Sequence, residues 1–160
     1  MARAYLKNLP RLKAKLIRLK QQTAPAIRPA MEAAAGAICG TMRSVVPVDQ
    51  GDLRSSIGWT WGDAPKGSFG VSHSIGGNKI TIFAGNETAF YARWVEFGTA
   101  PHNVAPGGGT KGFKKSGSKG VEHPGAAARP FFYPSYRMHK KDVKRQITQA
   151  LRIAVRDAVK

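Results

Sequence analysis

The sequence is poor in acidic residues, has a single cysteine and contains no long apolar run. It has 9 Asp and Glu against 26 Lys and Arg, which gives a formal net charge of +17. Cys39 has no disulfide partner within the chain, and its alanine-rich surroundings predict a buried structural thiol. No segment approaches the roughly 18 apolar residues of a membrane-spanning helix, and the first residues lack the apolar block and cleavage site of a signal peptide. We therefore expect a soluble, intracellular protein without a structural disulfide.

The basic residues are concentrated at the two ends of the chain. Residues 1–22 contain seven Lys and Arg and no acid, and residues 137–160 contain eight Lys and Arg against two acids. Such a charge implies an acidic partner, which can be a nucleic acid, an acidic protein surface or an anionic membrane. We therefore expect the two ends to make the contacts with that partner.

Helical periodicity marks the first 45 residues. Apolar side chains three and four residues apart predict a first helix, with its stripe at Tyr5, Leu9, Leu12, Leu16 and Leu19. A break at 23–25 precedes a second, alanine-rich helix with an apolar face from Ile27 to Val45, which should end before Pro47. Because the first stripe lacks the Trp and Phe anchors of membrane-surface helices, we expect it to pack on the protein's own core or on a neighbouring subunit.

The remaining segments predict a sheet, a loop and a last helix. Alternating apolar residues at 57–61, 69–75 and 79–85, with a glycine turn between the last two, are typical of antiparallel strands. The last helix has its apolar positions at Val143, Ile147, Leu151, Ala154 and Ala158. The predicted fold class is α+β: a central antiparallel β-sheet flanked by N-terminal and C-terminal α-helices, with a long flexible Gly- and Lys-rich loop. We expect a single domain over residues 1–160, with a basic amphipathic helical arm at 1–24 and an α+β core at 25–160 that includes the loop at 98–125.

Few residues are candidates for catalysis. Asp49, Asp52 and Glu96 are the carboxylates that a metal-dependent nuclease could use on a nucleic acid attracted by the basic charge. Asp49 and Asp52 flank a glycine, however, where such residues commonly cap a turn and the start of a helix. Glu96 lies among aromatic residues and could form an ion pair with Arg54 or Arg129 that positions segments. We therefore predict that the protein is not an enzyme and has no catalytic residues.

Cofactor and metal sites are not indicated either. Gly107 and Gly112 have the glycine spacing of a phosphate-binding loop, but Phe113 stands at the lysine position. His102 and His123 are 21 residues apart, and no further His or Cys stands at ligand spacing. We predict no cofactor and no metal.

Non-specific DNA binding is the main alternative function. Seven basic residues on one short segment could neutralise several phosphates and give a salt-dependent affinity for any sequence. The chain has no recognisable helix-turn-helix, zinc-finger or RNA-binding pattern, so sequence-specific recognition is not predicted.

Two segments resemble a known family. Residues 46–57, Val-Pro-Val-Asp-Gln-Gly-Asp-Leu-Arg-Ser-Ser-Ile, are similar to its segment Pro-x-Asp-Thr-Gly-x-Leu-x-x-Ser, with Gln50 in place of threonine. Residues 91–99, Tyr-Ala-Arg-Trp-Val-Glu-Phe-Gly-Thr, with Arg-Pro-Phe-Phe-Tyr-Pro at 129–134, resemble its signature Tyr-Ala-x-x-Val-Glu-Phe-Gly-Thr … Pro-Phe. The family is the phage tail-component group typified by gene product ten of phage HK97, and the likeness covers about residues 35–140. Its matching positions, which we expect to be structural, are Asp49, Gly51, Leu53, Tyr91, Glu96, Phe97, Gly98, Pro130 and Phe131.

The resemblance implies a structural protein of the tailed-phage virion. Such a protein would be a neck, tail-completion or tail-terminator ring that joins the head to the tail. It would form a homo-oligomer, a six-fold ring, between the head connector and the tail tube, with genomic DNA passing through the lumen and no membrane partner. It would be located in the virion after assembly in the host cytoplasm, whether the particle is a phage or phage-derived. As a hypothesis, the contacts to partners or DNA are made by Arg11, Lys13, Lys15, Arg18, Lys111, Lys114 and Lys115.

Overall fold

The computed structural model describes residues 8–104 and 121–159. In chain order the elements are α1 (Leu9–Ala26), α2 (Arg28–Val45), α3 (Asp52–Ser55), β1 (Gly58–Trp61), β2 (Phe69–Ile75), β3 (Asn78–Ala84), α4 (Ala92–Phe97), β4 (His102–Val104), β5 (Val121–His123) and α5 (Phe132–Val159). Helices thus stand at both ends of the sequence with strands between them. The division into an arm at 1–24 and a core at 25–160 stays a prediction.

The three longer strands form an antiparallel sheet in the order β1-β3-β2. Trp59 of β1 and Val71 of β2 both pair with Ile82 of β3, so the three side chains lie on one face of the sheet. That face packs on α2, which in turn packs on α5. Because the apolar residues of each strand are two apart, one face is buried against the helices, and the predicted α+β class is confirmed.

Helix α2 supplies much of the core. Its buried residues recur at helical spacing and include Met31, Ile38 and Met42. The helix ends at Val45, as predicted from Pro47. Val45 was expected on the buried face, but it is exposed and Val46 is buried instead. The backbone becomes extended at Val46, and this change of direction turns the next side chain inward.

The predicted break at 23–25 occurs later along the chain. Helix α1 continues through Pro25 to Ala26, and only Ile27 separates it from α2. Pro25 removes one backbone donor from the helix, but two features keep the last turn helical. The Thr23 hydroxyl donates a hydrogen bond to the Leu19 carbonyl at 2.9 Å, and Ile27 is fully buried in the core.

Helix α5 has 28 residues. Its predicted apolar stripe is half-buried along its length, and Val143, Ile147 and Leu151 pack against the core. Despite the length of α5, no helix in residues 8–104 and 121–159 is long and apolar enough to cross a membrane.

The segment predicted as a structureless loop at 98–125 has ordered ends. Strands β4 and β5 pair with His102 opposite His123, and Thr99 bridges to Ala126. The prediction was therefore wrong for the two ends of the loop. Strands of three residues are too short to show an alternating pattern in the sequence, especially beside glycine and proline. The lysine-rich part, with Lys111, Lys114 and Lys115, lies outside the described residues.

Candidate functional site: the α4–α5 junction and two uncovered apolar surfaces

Glu96, on α4, joins α4 to the start of α5. Its side chain is 3% exposed, and its carboxylate accepts backbone N–H hydrogen bonds from Phe131 at 2.7 Å, Phe132 at 2.8 Å and Tyr133 at 3.0 Å. The first N–H groups of a helix have no partners within the helix and attract negative charge. Glu96 therefore caps α5 from 35 residues earlier in the chain.

The predicted ion pair of Glu96 with Arg54 or Arg129 is wrong. Both carboxylate oxygens face the start of α5, and Arg129 contributes to the junction through its backbone, whose N–H bonds to the Val95 carbonyl at 2.8 Å. A carboxylate that accepts several backbone N–H groups needs no buried guanidinium, whose desolvation would be costly.

Glycine at position 98 makes the junction possible. Gly98 ends α4 with φ of 71°, and a Cβ placed there would lie 2.6 Å from the Ala126 carbonyl oxygen and 2.8 Å from the Ala128 nitrogen. The close approach lets Thr99 bond to Ala126 and brings the following segment back to Glu96. Phe131 and Phe132 are then fully buried beneath α4 and the sheet. Pro130, the remaining residue of this motif, is exposed just before them.

The segment at 47–53 has a similar structural role. Gly51 has φ of 91° and occupies the N-cap position of α3, while Leu53 is buried in the core. Asp52 begins α3, as expected of a residue at a helix start, and Asp49 is exposed in the preceding turn. A left-handed backbone at the cap favours glycine over a residue with a side chain.

Glu96 and Asp49 are placed very differently in the structure. The oxygens of Glu96 are used by the α5 backbone, whereas Asp49 is at the surface. Throughout the described ranges, no three His, Cys, Asp or Glu side chains lie close enough to hold a metal ion. His102 and His123, far apart in sequence, do face each other across β4 and β5 with ring centroids 5.1 Å apart. Only the pairing of two very short strands brings them together, so sequence spacing could not indicate this contact.

Uncovered aromatic side chains lie on α4 and just before it. Phe90 and Trp94 are 56% and 52% exposed, and their rings meet edge to face with centroids 5.5 Å apart. Trp94 and the equally exposed Val48 also line a cleft of 540 Å³, whose walls include Asp49 and Arg129. We call Val48, Phe90 and Trp94 with this cleft the α4 cleft.

From the sequence, Tyr91, Trp94, Val95 and Phe97 are all expected to bury against the sheet. Tyr91 and Val95 do pack against the core, but Trp94 and Phe97 are mostly exposed. Phe97 contacts the rings of Phe69 and Tyr133 at the edge of the core. Exposed aromatic side chains in a group are characteristic of protein interfaces.

A second uncovered apolar surface lies on α1. Leu9, Leu12 and Leu16, which we call the α1 stripe, are 41%, 49% and 56% exposed. The basic residues predicted to contact a partner, Arg11, Lys13, Lys15 and Arg18, are exposed on the same helix. The other residues of that prediction, Lys111, Lys114 and Lys115, lie outside the described residues.

A separate groove lies between α2, the sheet and α5. This groove has a volume of 360 Å³ and apolar walls that include Met31, Ile80 and Ile147, with Lys140 and Lys144 also lining it. His73 on β2 is hydrogen-bonded at 2.6 Å to the Tyr136 hydroxyl beside this groove. Partial burial raises the pKa of Tyr136.

One comparison with known proteins gives a match. The family model described as a bacteriophage HK97-gp10 tail component matches residues 11–98, more than half of the chain. The match includes α1 from Arg11 onward, which the motif resemblance did not cover, and it ends at Gly98, before the Pro130–Phe131 segment that Glu96 caps. Neither the curated proteins nor the solved structures include a match to the chain.

Proposed function

Because the chain belongs to the HK97-gp10 family of bacteriophage tail components, we propose that it is the subunit of a homo-oligomeric ring at the neck or upper end of the tail. The ring, with six copies, completes the tail and joins it to the DNA-filled head through the head connector on one side and the tail-tube or tail-terminator protein on the other. Family membership makes the protein a structural component of the virion. Its place in the neck, its copy number and its assembly in the host cytoplasm are the proposal.

The observation that carries the proposal is the pair of uncovered apolar surfaces. The α1 stripe and the α4 cleft leave large apolar side chains exposed, outside the buried core. Contiguous exposed apolar side chains mark sites that another protein covers. The capped junction at Glu96 holds one of these surfaces, α4, in a fixed position against α5. A rigid body with uncovered apolar surfaces suits assembly into a larger particle.

The test is the phenotype of particles that lack the protein. We expect a nonsense mutation in its gene to give DNA-filled heads and complete but unattached tails, with joining restored by the wild-type chain supplied in trans. Glu87→Gln, a change at an exposed side chain, should restore joining as well as the wild type. Normally joined particles from the mutant would refute the neck role, and the absence of any tails would indicate a role in building the tail tube instead.

DNA contact is a second candidate function that a specific observation favours. Helix α1 has exposed Arg11, Lys13, Lys15 and Arg18 and no acidic residue anywhere along it. If these residues meet DNA in the lumen, log affinity should fall linearly with log salt concentration. Lys13→Gln with Lys15→Gln should reduce that slope by about 2, since each phosphate contact contributes about 1. Lys66→Gln, at an exposed turn position, is the control, and an equal loss in the control would argue against an α1 contact.

A further inference from the structure

The apolar face of α1 is covered at one end and uncovered at the other. Leu19 is half-buried, Thr23 is buried and Ile27 is fully buried, whereas the α1 stripe that continues this face toward the N-terminus is exposed. These positions are three and four residues apart, so they form one continuous face of the helix. The second half of α1 is therefore anchored in the core, and the first half presents an apolar surface to something else.

The α1 stripe is only partly covered by the described residues of its own chain, although α1 also packs on α5. Its residues are exposed while the α4 cleft and the groove by Lys140 are also open. Each of them is a surface that another molecule can cover. For the α1 stripe, the candidate surfaces are those of a second copy: its α1, its groove and its α4 cleft.

Charge separates these candidates. Between Leu9 and Ala26 every charged residue is basic, so two α1 helices placed face to face would bring like charges together. The groove carries Lys140 and Lys144 on its lining and would also repel α1. The lining of the α4 cleft holds one acid, Asp49, beside one base, Arg129, so it is neutral where the groove is basic. Like-charge contacts disfavour a partner, while complementary or neutral ones allow the apolar contact to form.

We propose that the α1 stripe of one copy docks in the α4 cleft of the next copy. This inference rests on the ring proposed above and deepens it by naming the two surfaces that meet. Trp94 and Phe90 would be the aromatic anchors, since large aromatic side chains dominate the energetics of such contacts. The basic residues beside the stripe would approach Asp49. Because the two surfaces are different, the contact is head to tail, and it builds the proposed ring when the rotation from one copy to the next closes.

Cross-linking between single-cysteine variants tests the contact directly. In a Cys39→Ala background, Leu16→Cys is placed on one chain and Val48→Cys on a second chain that carries a different tag. Both positions are exposed, at 56% and 58%. Under mild oxidation of the mixed, assembled protein we expect a disulfide between the two tagged chains. When both substitutions are in one chain, the expected product is a ladder of multimers up to the size of the ring.

In the matched control, Met138→Cys takes the place of Val48→Cys on the second chain. Met138 is 64% exposed on α5 and lies outside both surfaces. Leu16→Cys alone, and Leu16→Cys mixed with Met138→Cys, should give at least tenfold less cross-linked product. Cross-linking in these controls that equals the cross-linking of Leu16→Cys with Val48→Cys overturns the docking. The docking is also overturned if Leu16→Cys and Val48→Cys form no disulfide in rings whose size is verified by light scattering. In that last case the ring and the neck function stand and only the contact is wrong. A chain that stays monomeric and uncross-linked refutes the docking, and normally joined particles without the protein separately refute the function.

Discussion

Removing the Glu96 carboxylate should weaken the fold more than any other single charge change in the described chain. In Glu96→Gln the amide oxygen can still accept the two N–H groups that now share one carboxylate oxygen, those of Phe131 and Phe132. The NH₂ group then faces the Tyr133 N–H, and two donors oppose each other. A hydrogen bond to a charged group contributes about 1.5–3 kcal/mol, and the charge at a partly buried helix start adds up to about 2 kcal/mol. We expect a loss of about 2–3 kcal/mol in the free energy of unfolding.

The alanine variant sets the upper end of the same series. Glu96→Ala leaves three N–H groups at the start of α5 without their acceptor, and a single orphaned buried donor costs about 1–3 kcal/mol. We expect a loss of about 4–5 kcal/mol, which is near the limit seen for point mutations. Urea unfolding followed by circular dichroism and by tryptophan fluorescence gives the values, provided that the denaturant slope is unchanged.

Glu87→Gln provides the control for charge alone, because this residue is exposed, and it should change the free energy of unfolding by no more than about 0.5 kcal/mol. The reasoning is refuted if Glu96→Gln behaves like Glu87→Gln, or if the glutamine and alanine variants at position 96 are equally stable. The first result would mean that the N–H groups of α5 find other partners. The second would mean that the amide retains none of the capping.

Three further outcomes follow from the same geometry. Trp94→Ala should lower the free energy of unfolding of the monomer by about 1 kcal/mol, the energy of the contact between the Trp94 and Phe90 side chains. The same change should weaken subunit association by more than tenfold in light scattering; a loss of association no larger than the loss of monomer stability would contradict an interface role. Gly98→Ala should destabilise by about 2–4 kcal/mol in thermal or urea unfolding, because a Cβ there meets the Ala126 oxygen at a φ of 71°. Its control is Gly36→Ala, on open helix surface, which should raise the free energy of unfolding by about 0.5–1 kcal/mol. If Gly36→Ala and Gly98→Ala destabilise the protein equally, the steric argument is refuted. Burial raises the pKa of the Cys39 thiol above its ordinary 9.0, so the unfolded chain ionises first and stability should fall as pH rises from about 9 toward the folded-state pKa. Thiol titration at pH 8 should correspondingly be slower for folded than for urea-unfolded protein.

The longer helices and strands were predictable because each repeats its apolar residues at a fixed period. Ile27 to Met42 recur every three to four residues, and Ile80 and Ile82 are two apart, so each pattern indicates both the element and its buried face. The position of the α1–α2 boundary was less accurate. A proline signals a break from local chemistry alone, whereas the burial of Ile27 depends on the assembled core.

The site was less predictable because it depends on contacts between distant residues. Glu96 and Phe131 are 35 residues apart, and no periodicity connects them. A local signal was present, however: the residues before α5, Arg129-Pro130-Phe131, include none of the side chains that cap helices. A helix start without its own cap needs an acceptor from elsewhere, and a glutamate in an aromatic segment was the available one. The exposure of Trp94 had no such signal, since an apolar residue on a helix looks the same whether its own core or another chain covers it.

The short connection between α1 and α2 has a geometric consequence for the proposed assembly. Only Ile27 joins the two helices, its side chain is fully buried, and the Asn78 side-chain amide donates a hydrogen bond to the Ala24 carbonyl at 2.6 Å. The direction in which α1 leaves the body is therefore fixed by the core rather than by a hinge. In a ring closed by α1, that direction sets the angular step from each subunit to the next. The number of subunits, and with it the bore of the channel, would then depend on the buried contacts that hold this connection in place.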